Sequence, residues 1–195
     1  MLYIFDMGGV VTTTAGDKLF KDISSKLSIS YQKFMEYCNN SSYGDLLNQL
    51  DVGKISSKEF WNIFSDISGI KVNTDFFRVL FHPQRIYETY NIIKDIKAKG
   101  NRVVCGTNTI DSHYDNHLCR GDYSIFDMTY TSIHLGVAKP DSEFWNMILD
   151  FENEKPENTF FTDDNLNNIK AASELGIRTY LFDNPGGLRK AINIL

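Results

Sequence analysis

The sequence predicts an α/β fold in which a parallel sheet carries helices on both faces and a helical block interrupts the chain near its start. Three observations carry this. The apolar run Leu2–Phe5 ends at Asp6 and the pair Gly8-Gly9, as a buried strand does where it opens into a loop. Residues 17–80 show helical periodicity only. From Tyr90 onward, strand-like runs alternate with helix-like ones, the pattern of a parallel sheet.

In chain order, the helical block places Leu19, Phe20, Ile23 and Leu27 on one face, and Phe60, Ile63, Phe64 and Ile67 on another. Ser30, Ser56 and Asn73 stand where N-caps would begin new helices, and Glu59 completes a capping box from Ser56. After His82-Pro83, a helix carries Ile86, Tyr90, Ile93 and Ile96 and is stopped by Lys97, Lys99 and Gly100. Strands are expected at 102–106, 128–132, 159–162 and 178–182. Helices are expected at 140–151, with Pro140 in the first turn, and along the stripe Leu166, Ile169, Ala172 and Leu175. A closing helix spans 187–195. The expected organisation is a core of residues 1–14 and 82–195 with an inserted helical unit at 15–81.

Composition bounds the function. The 195 residues suffice for one core plus a modest insert, and 42% hydrophobic with 13% aromatic residues is ordinary for a packed protein. A formal charge of −5 argues against nucleic acid or an anionic membrane as the main partner. Cys38, Cys105 and Cys119 are too scattered for a disulfide framework or a zinc site and fit free thiols in a reducing, cytoplasmic setting. The start of the chain has neither the basic region nor the long apolar stretch of a leader or a membrane span. The triplet Asn39-Asn40-Ser41 matches a glycosylation sequon by chance in such a setting. A monomer or homodimer is expected.

Ligands of open α/β sheets bind at the carboxyl ends of the strands. At those ends, the expected strands place Asp6, then Thr107-Asn108-Thr109, then Lys139, then Asp163-Asp164-Asn165. The set holds a carboxylate nucleophile, hydroxyl and amide donors, one cation and an acidic pair for a hard metal. That inventory suits phosphoryl transfer, which is mainly positioning and charge neutralisation. Each piece alone reads more simply as a turn, a cap or a solvated lysine; the joint arrangement overturns those readings.

The same residues resemble the motifs of the haloacid dehalogenase-like (HAD) superfamily. Phe5-Asp6-Met7-Gly8-Gly9-Val10-Val11 is similar to its first motif, and Val103-Val104-Cys105-Gly106-Thr107-Asn108 to its second. Gly136-Val137-Ala138-Lys139-Pro140 resembles the third, and Phe160-Phe161-Thr162-Asp163-Asp164-Asn165 the acidic fourth. The resemblance implies a Rossmannoid core with a C1 cap inserted after the first strand. It implies Asp6 as nucleophile, forming an aspartyl-phosphate. Thr107, helped by Asn108, would bind the transferring phosphoryl group, and Lys139 would neutralise it. Mg²⁺ would be held by Asp6, the Gly8 carbonyl, Asp164 and, directly or through water, Asp163. The implied activity is hydrolysis of a small phosphorylated metabolite.

Gly8 departs from the family, whose motif has a second aspartate there. A glycine carbonyl still binds metal, but no side chain remains to protonate the leaving oxygen, help worth about 10²–10⁴-fold in rate. Leaving groups of low pKa, as in sugar 1-phosphates, acyl phosphates or aryl phosphates, are therefore expected to be preferred. A glucose-1-phosphatase-like subgroup is similar in its first and fourth motifs and in the stretch from Leu50 to Phe60. Thr12, Thr13 and Thr14 are poor acids; His113 and His117 have a suitable pKa range, though such histidines are more often surface residues. The tips Tyr43-Gly44-Asp45 and Asp51-Val52-Gly53-Lys54 are expected to face the site.

Two rival readings stay open. A 2-haloacid dehalogenase would use Asp6 on carbon without metal, and the Asp163-Asp164 pair argues against it. A degenerate, non-catalytic HAD protein binding a phosphorylated ligand rests on Gly8 alone.

Overall fold

In the computed structural model, which describes residues 1–40 and 42–193, the chain opens with strand β1 (Leu2–Phe5), all of whose side chains are buried. A mainly helical stretch comes next: α1 (Gly16–Lys26), α2 (Tyr31–Cys38), a hairpin of β2 (Asn39–Asn40) and β3 (Gly44–Asp45), then α3 (Leu46–Asp51), α4 (Ser57–Ser68) and α5 (Phe76–Val79). After it come α6 (Tyr87–Ala98), β4 (Arg102–Thr107), α7 (Asp111–Cys119), a 3₁₀ turn at Asp122–Ile125 and β5 (Met128–Thr131). The remainder is α8 (Ser132–Leu135), α9 (Ser142–Glu152), β6 (Thr159–Asp163), α10 (Leu166–Glu174), β7 (Arg178–Leu181) and α11 (Pro185–Asn193). Ser41 of the sequon-like triplet and residues 194–195 of the closing helix lie outside the described residues.

The main sheet runs β5-β4-β1-β6-β7, and every pairing in it is parallel. Phe5 pairs with both Cys105 and Thr162, and Thr107 with Thr131, so the carboxyl ends of these strands finish level along one edge. The period of two in a strand sends alternate side chains to opposite faces. Tyr3, Phe5, Val103 and Cys105 meet Ile92, Ile93 and Ile96 of α6 and Leu188 of α11. Leu2, Ile4, Val104 and Phe161 meet Phe144, Trp145 and Ile148 of α9 and Ile169 and Ala172 of α10. Burial on both faces explains why these strands read as continuous apolar runs.

The helical stretch has an apolar cluster of its own, in which Leu19, Ile23, Phe34, Phe60, Phe64 and Phe77 pack together and Ile110 joins from outside. Ser56 and Glu59 form the expected capping box, an arrangement worth about 1 kcal/mol. Ser30 caps α2 through the Lys33 N–H at 3.1 Å. Asn73 caps nothing: Asp75 is the N-cap of α5, because Trp61 Nε1, Ser112 Oγ and the Arg78 N–H all converge on its carboxylate. The hairpin interrupts what the periodicity read as purely helical. Where the stretch leaves and rejoins the rest of the chain, the two crossings are paired. Thr13 donates to the Gln84 carbonyl at 2.8 Å, Gln84 N–H to Thr13 Oγ1 at 2.9 Å, and Ile86 N–H to the Val11 carbonyl at 2.9 Å.

Two further boundaries differ from expectation. Helix α9 begins at Ser142, after Pro140, because Asp141 caps it by accepting from the Glu143 N–H at 3.0 Å. Helix α7 has no counterpart among the expected elements, since its buried positions are Ser112 and His117 rather than an apolar stripe.

Candidate active site

Level strand ends bring the expected residues together. Asp6 comes directly after β1, Thr107 ends β4 and Asp163 ends β6. Lys139 arrives from the loop between α8 and α9. Its Nζ donates to Asp6 Oδ1 at 2.8 Å, to Asp163 Oδ2 at 2.7 Å and to the Gly106 carbonyl at 2.9 Å, which uses all three ammonium protons. Phe144 and Phe161 place ring faces 5.8 and 5.4 Å from the same nitrogen. The lysine segment is held by Asn108: its amide donates to the Lys139 carbonyl at 2.8 Å and accepts from the Lys139 N–H at 2.9 Å. Both ends of the Asn108 side chain are thereby committed to positioning Lys139. Thr107, nearly fully buried, donates only to the Asn108 carbonyl at 3.2 Å.

The acidic residues divide their work. Asp163 is fully buried and saturated: Oδ1 accepts from the Asn165 N–H at 2.8 Å, and Oδ2 accepts from Asn168 Nδ2 at 2.9 Å as well as from Lys139. Asp164 is exposed, and its carboxylate lies against the loop after Asp6. A Cβ at Gly9, whose φ is +84°, would overlap Asp164 Oδ2, so only glycine permits this approach. The sequence points to Gly9 only as part of a loop and not for this close approach, and to Asn168 not at all. Gly9 carries a signal in the Gly8-Gly9 pair; Asn168 carries none, as an asparagine in a helix resembles any other.

Carboxylate oxygens of Asp6, Asp163 and Asp164 lie within 4.8 Å of one another. Three acids around a single ammonium leave excess negative charge in a largely buried place. Burial, followed by the partly offsetting field of Lys139 and the repulsion of Asp163, lifts the Asp6 carboxyl to about 6. Burial and Asp163 also raise Asp164. Burial opposes the Lys139 charge, but Asp6 and Asp163 outweigh it and hold the ammonium above its ordinary value. An all-oxygen donor set with unneutralised charge, from Asp6 and Asp164 with Asp163 behind, fits a hard divalent cation such as Mg²⁺.

Beside Gly8 opens a cavity of about 310 Å³ lined by Thr107, Asn108, His113, His117 and Tyr123 together with Phe20 and Phe81. The space a side chain at Gly8 would enter is empty, with nothing within 4 Å of an added Cβ. A second cavity of about 290 Å³ shares Phe20, Asn108, Thr109 and His113 and reaches Asp51, whose carboxyl is raised to about 6 by burial and then by Asp45. Of the two tips expected to face the site, Asp51 does line a cavity, whereas Tyr43 is exposed.

The histidines are not surface residues. His113 stacks on Phe81 with ring centroids 3.8 Å apart, and burial followed by His117 pushes it down to about 3. His117 is buried, its Nδ1 2.8 Å from Asp122 Oδ2, and burial again lowers it. Neutral imidazoles have no spare proton to donate as acids near pH 7, so neither supplies what Gly8 lacks. Tyr123, which the sequence does not signal, is 9% exposed and lines the same cavity. An isolated tyrosine between a helix and a strand looks like any other. Among the described residues, no helix is long and apolar enough to cross a membrane.

Comparison with known proteins agrees with this fold. Residues 1–176 match a family model described as haloacid dehalogenase-like hydrolase. A predicted HAD-like family hydrolase from Porphyromonas gingivalis superimposes with a TM-score of 0.80 at 22% identity, over 99% of this chain and 96% of that one. A HAD family enzyme from Bacteroides thetaiotaomicron, solved in complex with magnesium and inorganic phosphate, gives 0.75 at 25% identity, over 93% of each chain. Among curated proteins, acyl-CoA dehydrogenase family member 10 of Mus musculus is 26% identical over 142 residues, which is 71% of this chain but 13% of that protein. Drimenol cyclase drtB of Aspergillus calidoustus is 39% identical over 61 residues, 31% of this chain and 12% of its own length. The chain thus spans only a small part of these curated relatives.

Proposed function

Because the chain belongs to the haloacid dehalogenase-like hydrolases, we propose that it is a Mg²⁺-dependent phosphatase of a small phosphorylated metabolite, acting through an aspartyl-phosphate on Asp6. The observation that carries this reading is the Lys139 ammonium between Asp6 and Asp163, with Asp164 alongside.

In this reading an Asp6 oxygen attacks phosphorus, the bond from phosphorus to the ester oxygen breaks, and the leaving oxygen departs with that electron pair and takes up a proton. Water then cleaves the acyl phosphate, returning the Asp6 carboxylate and phosphate. Lys139 keeps Asp6 ionised and oriented and offsets charge on the phosphoryl oxygens. Thr107, at the end of β4, holds one of those oxygens through its hydroxyl. Mg²⁺, held by Asp6, Asp164 and the Gly8 carbonyl, would supply further charge neutralisation. Asp163, saturated by Lys139, Asn165 and Asn168, supports the site from behind.

The empty space at Gly8 makes protonation of the leaving oxygen the weak step, so sugar 1-phosphates, acyl phosphates and aryl phosphates should react best. This is where a glucose-1-phosphatase-like activity would fit. Residues 15–81 would act as a C1-type cap that closes the cavity against water. They meet α7 through Ser57 and Asp111, Asp75 and Ser112, and Arg78 and Asp115. The dehalogenase reading is disfavoured because a metal-free attack on carbon has no use for three clustered carboxylates.

The test is hydrolysis of glucose 1-phosphate, glucose 6-phosphate, acetyl phosphate and p-nitrophenyl phosphate, with and without Mg²⁺, by the wild type and by Asp6→Asn. Turnover should require Mg²⁺, vanish in Asp6→Asn and favour the activated esters. A folded protein that binds Mg²⁺ yet turns over none of them is a binding protein instead.

A further inference from the structure

A carboxylate drawn out of water is costly unless a cation or hydrogen-bond donors meet it. Asp51, half-buried at the end of α3, is met by neither. Burial and then the negative charge of Asp45 raise it to about 6, and among the described residues no cation or donor acts on it in the opposite direction. Its place is set by the helix. Leu47, Leu50 and Asp51 stand at i, i+3 and i+4, one face of α3, and all three line a cavity of about 290 Å³. The turn after Asp51 is seated on the core, since a Cβ at Gly53, whose φ is +68°, would come within 2.7 Å of the Ile133 carbonyl oxygen. Phe20 and Phe77 give the cavity aromatic walls, with Asn108 and His113 on the core side. The Asn108 amide is committed to Lys139 and His113 is neutral, so Asp51 is the one charged side chain lining this cavity. The cavity shares Phe20, Asn108, Thr109 and His113 with the space beside Gly8 and Thr107. The two spaces adjoin, and a leaving group that fills the first extends toward Asp51.

Building on the phosphatase reading above, we infer that Asp51 is a specificity residue, which pairs with an ammonium group on the leaving group, at the end away from phosphorus. An ammonium donates to the carboxylate and also cancels its charge, whereas a hydroxyl donates and cancels nothing. The aromatic faces of Phe20 and Phe77 attract a cation as well, and the wall holds no positive group to repel one. A leaving group with a carboxylate at that end would meet a like charge and be rejected. The substrate class is therefore a phosphate monoester whose alcohol carries a protonated amine, as in an amino alcohol or an amino sugar.

The test is binding, so that it does not depend on turnover. Calorimetry on the wild type with Mg²⁺ would compare benzylphosphonate, 4-(hydroxymethyl)benzylphosphonate and 4-(aminomethyl)benzylphosphonate, whose carbon–phosphorus bonds resist hydrolysis, with inorganic phosphate as a fourth probe. The aminomethyl probe should bind about tenfold to a hundredfold tighter than the hydroxymethyl one, the range for a hydrogen bond to a charged group. In Asp51→Asn, which keeps the shape and removes the charge, that ratio should fall to about one; a thermal melt confirms the fold. Equal binding of the aminomethyl and hydroxymethyl probes by the wild type overturns the inference without any variant. So does a preference that persists in folded Asp51→Asn. Inorganic phosphate binding by the wild type shows that the phosphatase reading survives such a result. If the wild type binds none of the four probes, that reading falls and this inference with it.

Discussion

Asn108 and Lys139 clamp each other through two hydrogen bonds of 2.8 and 2.9 Å, side-chain amide to backbone in both directions. The clamp links the end of β4 to the loop that carries the lysine, and so fixes the ammonium between two carboxylates. Asn108→Ala should lower kcat for p-nitrophenyl phosphate by about 10²-fold through misplacement of Lys139. It should also cost about 1–3 kcal/mol of stability. Steady-state kinetics with urea unfolding checks both, and a variant with wild-type kcat would show that Lys139 is positioned by other contacts.

The empty space at Gly8 makes the missing acid restorable. An added Cβ has nothing within 4 Å, so Gly8→Asp should fold. It should raise hydrolysis of an alkyl phosphate such as glucose 6-phosphate by about 10²-fold, within the usual range of general acid help. Hydrolysis of p-nitrophenyl phosphate, whose leaving group needs no proton, should gain far less. Equal gains, or none, would mean that proton transfer does not limit this enzyme.

His113 should leave a mark on stability at mildly acidic pH. Its folded-state value, about 3, lies below the ordinary 6.5, so the unfolded chain binds the proton first. The stability it contributes is complete above pH 6.5 and is lost as pH falls from there toward 3. His117 adds to the depression of its value, while Asp111 and the Phe77 backbone oppose it. Between about pH 7.5 and pH 5, wild type should lose about 1–2 kcal/mol more than His113→Phe. Parallel urea-derived profiles for the two proteins would refute the assignment.

Asp122 and Asp95 offer a contrast between buried and exposed ion pairs. Asp122 is fully buried and receives Arg85 Nε at 2.6 Å, Arg120 Nε at 3.1 Å and His117 Nδ1 at 2.8 Å. Its loss in Asp122→Ala should cost about 3–5 kcal/mol. Asp95 pairs with Arg189 on the surface, and Asp95→Ala should change stability by less than about 1 kcal/mol. Denaturant midpoints for the two variants decide this, and similar costs would contradict the burial argument.

The parts of the fold legible in the sequence are those carried by local signals. Leu2–Phe5 reads as a strand because burial on both faces makes an unbroken apolar run. Ser56 with Glu59 forms the capping box because both partners lie within one turn. Asp6, Thr107, Lys139 and Asp163 come together because each sits at or beyond a strand end of a parallel sheet, where chain order alone points to a shared edge. The illegible parts depend on distant partners. Asp75 replaces Asn73 as a cap because Trp61 and Ser112 hold its carboxylate. Helix α7 is hidden because it buries polar residues, and the histidines it carries look like surface groups for the same reason. Asn108 looks like a phosphate ligand until its two bonds to the Lys139 backbone are seen.

The paired crossings at residues 11–13 and 84–86 make the helical stretch between them a cassette in a socket. The chain leaves and returns through one ribbon, so the separation of the two ends is set by the socket and not by its contents. Closing a longer or shorter excursion costs only a logarithmic increment of entropy. Inserts of other lengths and shapes can therefore be exchanged there while Asp6, five residues before Val11, keeps its register against Lys139. Chemistry and selectivity in such a chain are free to evolve separately.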